Sequence, residues 1–284
     1  MIGFVILHYK NITDTVECID SILSLNTEKK ISIVVVDNNT LNDSDEKILS
    51  SYNIDLIKLD DNMGFAKANN IGCNYLVKKY SPDFLCVINN DTVINQKDFI
   101  EKIYNCYETY DFDMLGPKII TDNGESVNPF PVYKNLYEID NAIKKSRKLI
   151  YIYKSAFLTF LLNIYIKVKG LFIQPRHMVN GEIIEKNVGL HGCALVFSKK
   201  YYEKYDTVFY NETFLYHEEE FLYQRVIRDS LTSIYDPNIE IFHKEGASLN
   251  NSFGNSEREK LIFRNKEIVK SLNLLKQFIH KEEN

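Results

Sequence analysis

The chain has 284 residues, 45% of them apolar and 26% charged, and a net charge of −5. These values suit one large globular α/β domain, or one domain with an appendage. The acidic balance argues against general nucleic-acid binding. From the N-terminus, short apolar runs alternate with helical patterns up to residue 120. Strands are expected at 2–7, 31–36, 54–59, 84–88 and about 113–120, and helices near 13–25, 66–79 and 97–109. The alternation predicts a mostly parallel sheet with crossover helices. Val34-Val-Val36 and Leu85-Cys-Val-Ile88 are apolar at successive positions, as in strands covered on both faces. The opening run Met1–Leu7 is too short for a signal h-region and lacks a basic lead, so export is not expected.

Neither G-x-G-x-x-G after the first strand nor G-x-x-x-x-G-K-[ST] anywhere is present, so the usual phosphate cradles are missing. Five scattered cysteines (Cys18, Cys73, Cys86, Cys106, Cys193) form no C-x-x-C pair and read as small core residues. That usage points to a reducing compartment. Three regions are expected: 1–120, a second half at 121–255 with a basic, apolar helical insertion at 143–172, and a C-terminal helix at 256–284. In the second half a loop surrounds Asn180-Gly181. A short strand follows at 194–197, an acidic helix starts at 217–220, and another strand runs over 239–242.

The insertion is the most unusual stretch. Between Asn141 and Gly181 there are eight basic residues and no acidic one, leaving about −13 on the rest of the chain. Its part 149–166 is 18 residues long with one charge, borderline for a membrane span. A single crossing would put residues 91 and 243 on opposite sides of the bilayer. The segment therefore reads as one or two helices lying in a membrane surface, with Tyr151, Tyr153 and Tyr165 at headgroup level. The alternative is a helical excursion packed on the protein itself or on a second subunit of a homodimer.

Four places carry candidate chemistry. Asn89-Asn90-Asp91 closes one apolar run and His243 closes another, and open α/β sheets bind ligands beyond the carboxyl ends of their strands. A carboxylate and an imidazole there would suit Mn²⁺ or Mg²⁺; alternatively Asp91 caps the next helix and His243 is a turn residue. Asp37, ending Val34-Val-Val-Asp37, is placed either to accept from a ribose hydroxyl or base N–H, or to form a turn. Gly64 opens a helix whose N-terminus favours an anionic ligand, or is a plain turn former. Glu218-Glu219-Glu220 is either a dipole-favoured first turn or the seat of a general base. Glu218 and Arg225 share a helix face, which leaves Glu219 freer to face a cleft.

Taken in order, Ile6-Leu-His-Tyr-Lys10, Val35-Val-Asp-Asn-Asn39, Asn62-Met-Gly-Phe-Ala66 with Asn69, Ile88-Asn-Asn-Asp-Thr92, Gly192-Cys193, Glu218-Glu219 and His243-Lys-Glu-Gly-Ala-Ser248 form a set. The set resembles the family 2 glycosyltransferases of the GT-A fold, in particular a rhamnosyltransferase-like branch that builds bacterial surface polysaccharide. It spans about residues 2–265. The resemblance implies a GT-A nucleotide-sugar-binding domain, with 1–120 as the nucleotide-sugar-binding half and 121–255 as the acceptor-binding half, and an inverting transferase with a dTDP- or UDP-sugar donor. His8, Tyr9 and Asp37 would hold base and ribose, with Asn39, Asn62, Gly64, Asn69, Asn89 and Asn90 lining the donor pocket. Asp91 and His243 would hold Mn²⁺ or Mg²⁺, with Gly192 and Cys193 on the acceptor side. Glu219, beside Glu218, falls where the family carries an Asp as catalytic base, and with three consecutive glutamates the register is open by one. Arg264-Asn265 resembles a pair some relatives carry.

The implied acceptor is a saccharide, such as one on polyprenyl diphosphate. Such a transferase works in the cytoplasm, peripheral on the inner face of the plasma membrane, in capsule, O-antigen or cell-wall synthesis. Two other readings stand beside this one: a sugar-phosphate nucleotidyltransferase, and a non-catalytic nucleotide-sugar-binding scaffold.

Overall fold

The computed structural model of the chain describes residues 1–122, 124, 126–170, 182–244 and 256–282. The expected loop at Asn180-Gly181, positions 245–248 of the histidine motif and the end of the 143–172 segment lie outside the described residues. Strand β1 (Ile2–His8) pairs in parallel with β2 (Ile31–Asp37) and with β4 (Phe84–Asn89), and β3 (Asp55–Lys58) extends the sheet beyond β2. The helices between them are α1 (Ile12–Leu23), α2 (Asp43–Leu49) and α3 (Gly64–Tyr80). After β4 come β5 (Thr92–Val93), α4 (Phe99–Tyr110) and β6 (Met114–Thr121). Helices α5 (Leu136–Lys154) and α6 (Ala156–Gly170) follow, then β7 (Glu185–Lys186), β8 (Ala194–Ser198), α7 (Lys199–Lys204), α8 (Glu218–Arg228), β9 (Ser233–His243) and α9 (Glu257–Glu282).

The sheet order is β3-β2-β1-β4-β8-β6-β9-β5, with β7 pairing on β9. Strands β1, β2, β3, β4, β6 and β9 run one way, and β5, β7 and β8 the other. The expected mostly parallel α/β sheet is therefore present, and it holds strands from both sides of residue 120. Successive strand residues feed opposite layers. Phe4, Ile6, Ile33 and Val35 pack with Ile19, Ile22, Ile100 and Ile103, whereas Val5, Val34 and Val36 pack with Ala68, Leu76, Leu222 and Val226. All five cysteines are buried and free, as small core residues should be.

Two elements depart from the pattern. Strand β9 begins at Ser233 rather than 239, because a register shift at Pro117/Lys118 of β6 accommodates Pro237, Asn238 and Ile239. Helix α2 buries only Leu49, so it shows no apolar stripe; Asn42 caps it by accepting from Ser44 N at 2.9 Å and Asp45 N at 3.0 Å.

A third core lies away from the sheet, where Ile139 and Ile143 of α5 meet Leu272 and Leu275 of α9 and Phe221 of α8. Each such side chain contributes about 1.5–3 kcal/mol on burial. The first half of the basic insertion is thus a packed helix. Tyr153, expected at headgroup level, is buried at 8% exposure because it sits on the α5 face with Ile139, Ile143 and Ser146. Among the described residues no single helix is long and apolar enough to cross a membrane, and α5 and α6 meet at a bend of 119°.

Candidate functional site

The carboxyl ends of the parallel strands converge on one edge. Register sets His8 beside Asp37, Leu7 beside Asn89, and Thr121 beside His243. Beyond β4 the chain turns through Asn90 and Asp91, fixed by Asn89 N donating to Cys193 O (2.9 Å) and the Thr92 hydroxyl donating to Asn89 O (2.7 Å). The two-residue strand β5 then pairs with the end of β9, Thr92 opposite His243, and Lys244 N donates to Asp91 O at 3.1 Å. This pairing carries Asp91 Oδ1 to 3.1 Å from His243 Nε2, both residues buried. Asp91 caps no helix, since α4 starts at Phe99 after Asp98.

The pair offers one hard oxygen and one imidazole, a donor set that Mn²⁺ and Mg²⁺ accept when phosphate and water complete the shell. His243 Nδ1 is buried without a hydrogen-bond partner, a polar atom that a ligand at this edge would satisfy. Among the described residues no group of three or more His, Cys, Asp or Glu side chains gathers to hold a metal. Asp91 and His243 are thus the side chains on this edge that could hold a cation, as two protein donors.

The acidic side chains of α8 are placed by the segment before β8. Glu219 is half-buried, and its Oε1 accepts from Gly192 N at 3.0 Å. His191, next in the chain, has its ring 6.3 Å from that of His243, and its N–H donates to Asn128 Oδ1 at 2.7 Å. Cys193 N donates to His191 Nδ1 at 3.2 Å. Glu219, Gly192, His191, His243 and Asp91 thus follow one another as neighbours. Gly192 has a steric reason to be glycine: a Cβ there would lie 2.8 Å from Glu219 Oε1.

The flanking glutamates face inward. Glu220 accepts from Tyr133 N at 3.2 Å, and burial pushes its carboxyl up to about 8. Glu218 is raised too, by burial first and by the charge of Glu219 second, and its Oε1 has no hydrogen-bond partner. Arg225, expected on the face of Glu218, is likewise buried, donating to Tyr201 Oη (2.9 Å), Thr207 O (3.0 Å) and Val208 O (2.7 Å). Helix α8 is entered through two left-handed residues, Tyr216 (φ 71°) and His217 (φ 68°). That costs on the order of 1 kcal/mol each and is held by Phe65 N on Phe214 O (2.7 Å) and the Ser271 hydroxyl on Leu215 O (3.0 Å).

At the β1–β2 end, His8 is fully buried; its Nδ1 bonds Thr15 Oγ1 at 2.7 Å, and Nε2 has no partner. Burial lowers its pKa, opposed by Asp37 and Asp45. Tyr9 is half-buried and Asn39 exposed with φ 62°. Asp37 Oδ1 serves its own turn, accepting from Thr40 N (2.9 Å) and Leu41 N (3.2 Å). Asn62 Oδ1 accepts from Asn38 Nδ2 and from Gly64 N, both at 2.9 Å. The close backbone approach at Gly64 is to protein: a Cβ would lie 2.3 Å from Phe214 O, and φ is +76°. Asn69 is buried with Oδ1 unpartnered, and its Nδ2 donates to Phe65 O at 3.0 Å. Asn90 ties the Asp91 turn to α1 by donating to Thr15 Oγ1 at 3.0 Å.

Three positions that sequence reasoning passed over join the network. Asn38 clamps the loop before α3, its Oδ1 accepting from Met63 N at 2.8 Å. Asn70 clamps the loop before α8, exchanging hydrogen bonds with Phe209 N (2.8 Å) and Phe209 O (3.0 Å). His191 bridges the Glu219 and His243 sides. Only its position directly before Gly192-Cys193 could have signalled it.

Comparison with known proteins follows the same outline. The low-salt glycan biosynthesis hexosyltransferase Agl10 of Haloferax volcanii is 29% identical over 98 residues, covering 34% of this chain and 31% of that protein, so the match spans less than a third of the relative's length. The crystal structure of S. aureus TarS 1-349 superposes with a TM-score of 0.54 at 13% identity, over 94% of this chain and 69% of that one. Its complex with UDP-GlcNAc gives 0.54 at 14% identity, over 96% and 66%. Identities this low establish the shared fold alone. The profile described as "Glycosyl transferase family 2" matches residues 4–231, most of the chain and all of the sheet edge up to α8: the chain belongs to glycosyl transferase family 2.

Proposed function

We propose that the chain is an inverting glycosyltransferase moving a sugar from a nucleoside-diphosphate donor to a hydroxyl of a saccharide acceptor. The observation that carries the reading is the 3.1 Å approach of Asp91 and His243 at the ligand-binding edge of a family 2 sheet, with Glu219 joined to it through Gly192 and His191. Asp91 and His243 would hold a divalent cation, Mn²⁺ or Mg²⁺. When bound, such a cation supplies Lewis-acid stabilisation of the charge on the departing diphosphate.

The remaining work falls to side chains of this chain. Glu219 takes the proton from the attacking acceptor hydroxyl, and Gly192 N–H fixes its carboxylate by a bond to Oε1 at 3.0 Å. Access selects Glu219 over its neighbours, because Glu218 and Glu220 are buried. His8 and Asn69 each direct a buried, unpartnered polar atom, Nε2 and Oδ1, that a nucleotide would satisfy. UDP-sugars are the first donors to test, given the TarS complex with UDP-GlcNAc; dTDP-sugars come second. A lipid-linked acceptor in bacterial surface-polysaccharide synthesis, and a rhamnosyltransferase-like branch, rest on the motif set alone.

Incubation of the chain with radiolabelled UDP- and dTDP-sugars and Mn²⁺ tests the reading. Release of nucleoside diphosphate, through transfer or slow donor hydrolysis, is expected. Pyrophosphate release would identify a nucleotidyltransferase, and binding without turnover of any donor would identify a scaffold.

A further inference from the structure

We propose that α6 docks the protein on an anionic lipid bilayer, its outer apolar stripe entering the headgroup–acyl boundary and the basic outer face of α5 lying against the headgroups. Phe157, Phe160, Leu161 and Ile164 are spaced i, i+3, i+4, i+7 and therefore share one face of α6. Phe157 is 67% exposed, Phe160 60% and Tyr165 59%. Thr159, on the opposite face, is buried at the α5 corner. Leu161 and Ile164 are each 45% exposed, so the stripe faces outward along its length. A contiguous exposed patch of this kind marks an interaction surface.

The corner is firmly held. Arg258 of α9 donates to Tyr153 O (3.0 Å) and Lys154 O (3.1 Å), closing the end of α5. Ser155 N donates to Ile152 O at 3.1 Å, and the Thr159 hydroxyl to Ser155 O at 2.8 Å. Helix α6 is thus fixed at its angle to α5, with its apolar side turned outward.

Charge decides the occupant. On α5, Lys144, Arg147, Lys148 and Tyr151 share the face opposite the one packed on α9, and all four are exposed. No acidic residue lies between 141 and 181, although the chain as a whole is acidic. A second copy docked through the same stripe would bring two basic faces together, whereas an anionic membrane complements the apolar and basic surfaces at once. At 15 residues α6 is roughly 22 Å long, short of the ~30 Å hydrocarbon core, so it lies in the surface and does not cross. The proposal is independent of the donor site: a parent chain that transfers sugar but does not bind anionic vesicles would overturn it alone.

The chain contains no tryptophan, so Phe160→Trp installs a single reporter on the stripe. With vesicles of phosphatidylglycerol and phosphatidylcholine, we expect its emission to shift to the blue and to be quenched by brominated acyl chains. Binding to pure phosphatidylcholine should be weaker by about tenfold or more, as should binding of Phe157→Ser/Phe160→Ser to the anionic vesicles. The double variant should melt as the parent does, because both side chains are exposed. Lys144→Gln/Arg147→Gln/Lys148→Gln should lose the preference for anionic vesicles. An emission unchanged by vesicles would overturn the proposal. So would a blue shift that grows with protein concentration without lipid, which would identify a dimer interface.

Discussion

Glu219 and Gly192 are a matched pair at the scale of single residues. The glycine N–H bonds the carboxylate, and the missing Cβ leaves room for it. An alanine at 192 meets only the far end of a flexible side chain, so Gly192→Ala should cost less than about 1 kcal/mol in urea unfolding. Displacing a base by an ångström or so should nevertheless lower kcat by about tenfold or more. Equal kcat in the variant would mean that Glu219 needs no fixing by this strand end. The sequence pointed to Glu219 as the proposed base, by the helix face and the family resemblance, with the register open by one within three glutamates. Consecutive acidic residues look alike until a partner such as Gly192, 27 positions away, picks one out.

Elements supply the next level, and here the short strand β5 matters more than its two residues suggest. Its pairing with β9 is what makes two sequence-distant side chains neighbours. The strand ends at Asn89 and His243 were legible from the apolar runs before them. Strand β5 was not, since two residues carry no periodicity. Asn38 was hidden for another reason, because between Asp37 and Asn39 it reads as turn chemistry, which is also what Asp37 Oδ1 performs.

Gly64 joins the start of α3 to the loop before α8, a contact that no local pattern announces. Gly64→Ala should destabilise the fold by about 2 kcal/mol or more, through its positive φ and the clash with Phe214 O. The urea midpoint should fall with the slope unchanged. A loss below about 0.5 kcal/mol would show that the two loops separate freely.

The whole molecule shows the buried acids through its response to pH. Glu218 and Glu220 have folded-state pKa values raised above the ordinary 4.5, the latter to about 8. Between those values the native state holds more protons than the unfolded chain, so stability falls as pH rises. His8 and His217, lowered by burial from 6.5, act in the opposite sense only below that value. From pH 6.5 to 7.5 the glutamates act without them, and stability should drop by up to about 1 kcal/mol per group. Glu220→Gln, which keeps an acceptor for Tyr133 N, should flatten that slope in thermal melts. A variant with the parent's slope would show that Glu220 is ionised in the native state.

The architecture was legible in outline because fully apolar strands and amphipathic helices alternate through residue 120. The outward turn of α6, and the burial of Tyr153 on the inner face of α5, became legible only from the structure. In the proposed function Glu219 draws the proton from the acceptor at an edge where Asp91 and His243 would hold the divalent cation that meets the donor's diphosphate. The most direct test of this role is turnover and donor affinity measured together for Glu219→Gln. In that variant kcat should fall about 10²-fold or more, with the donor Kd within a few-fold of the parent. Near-parental turnover in that variant would contradict it.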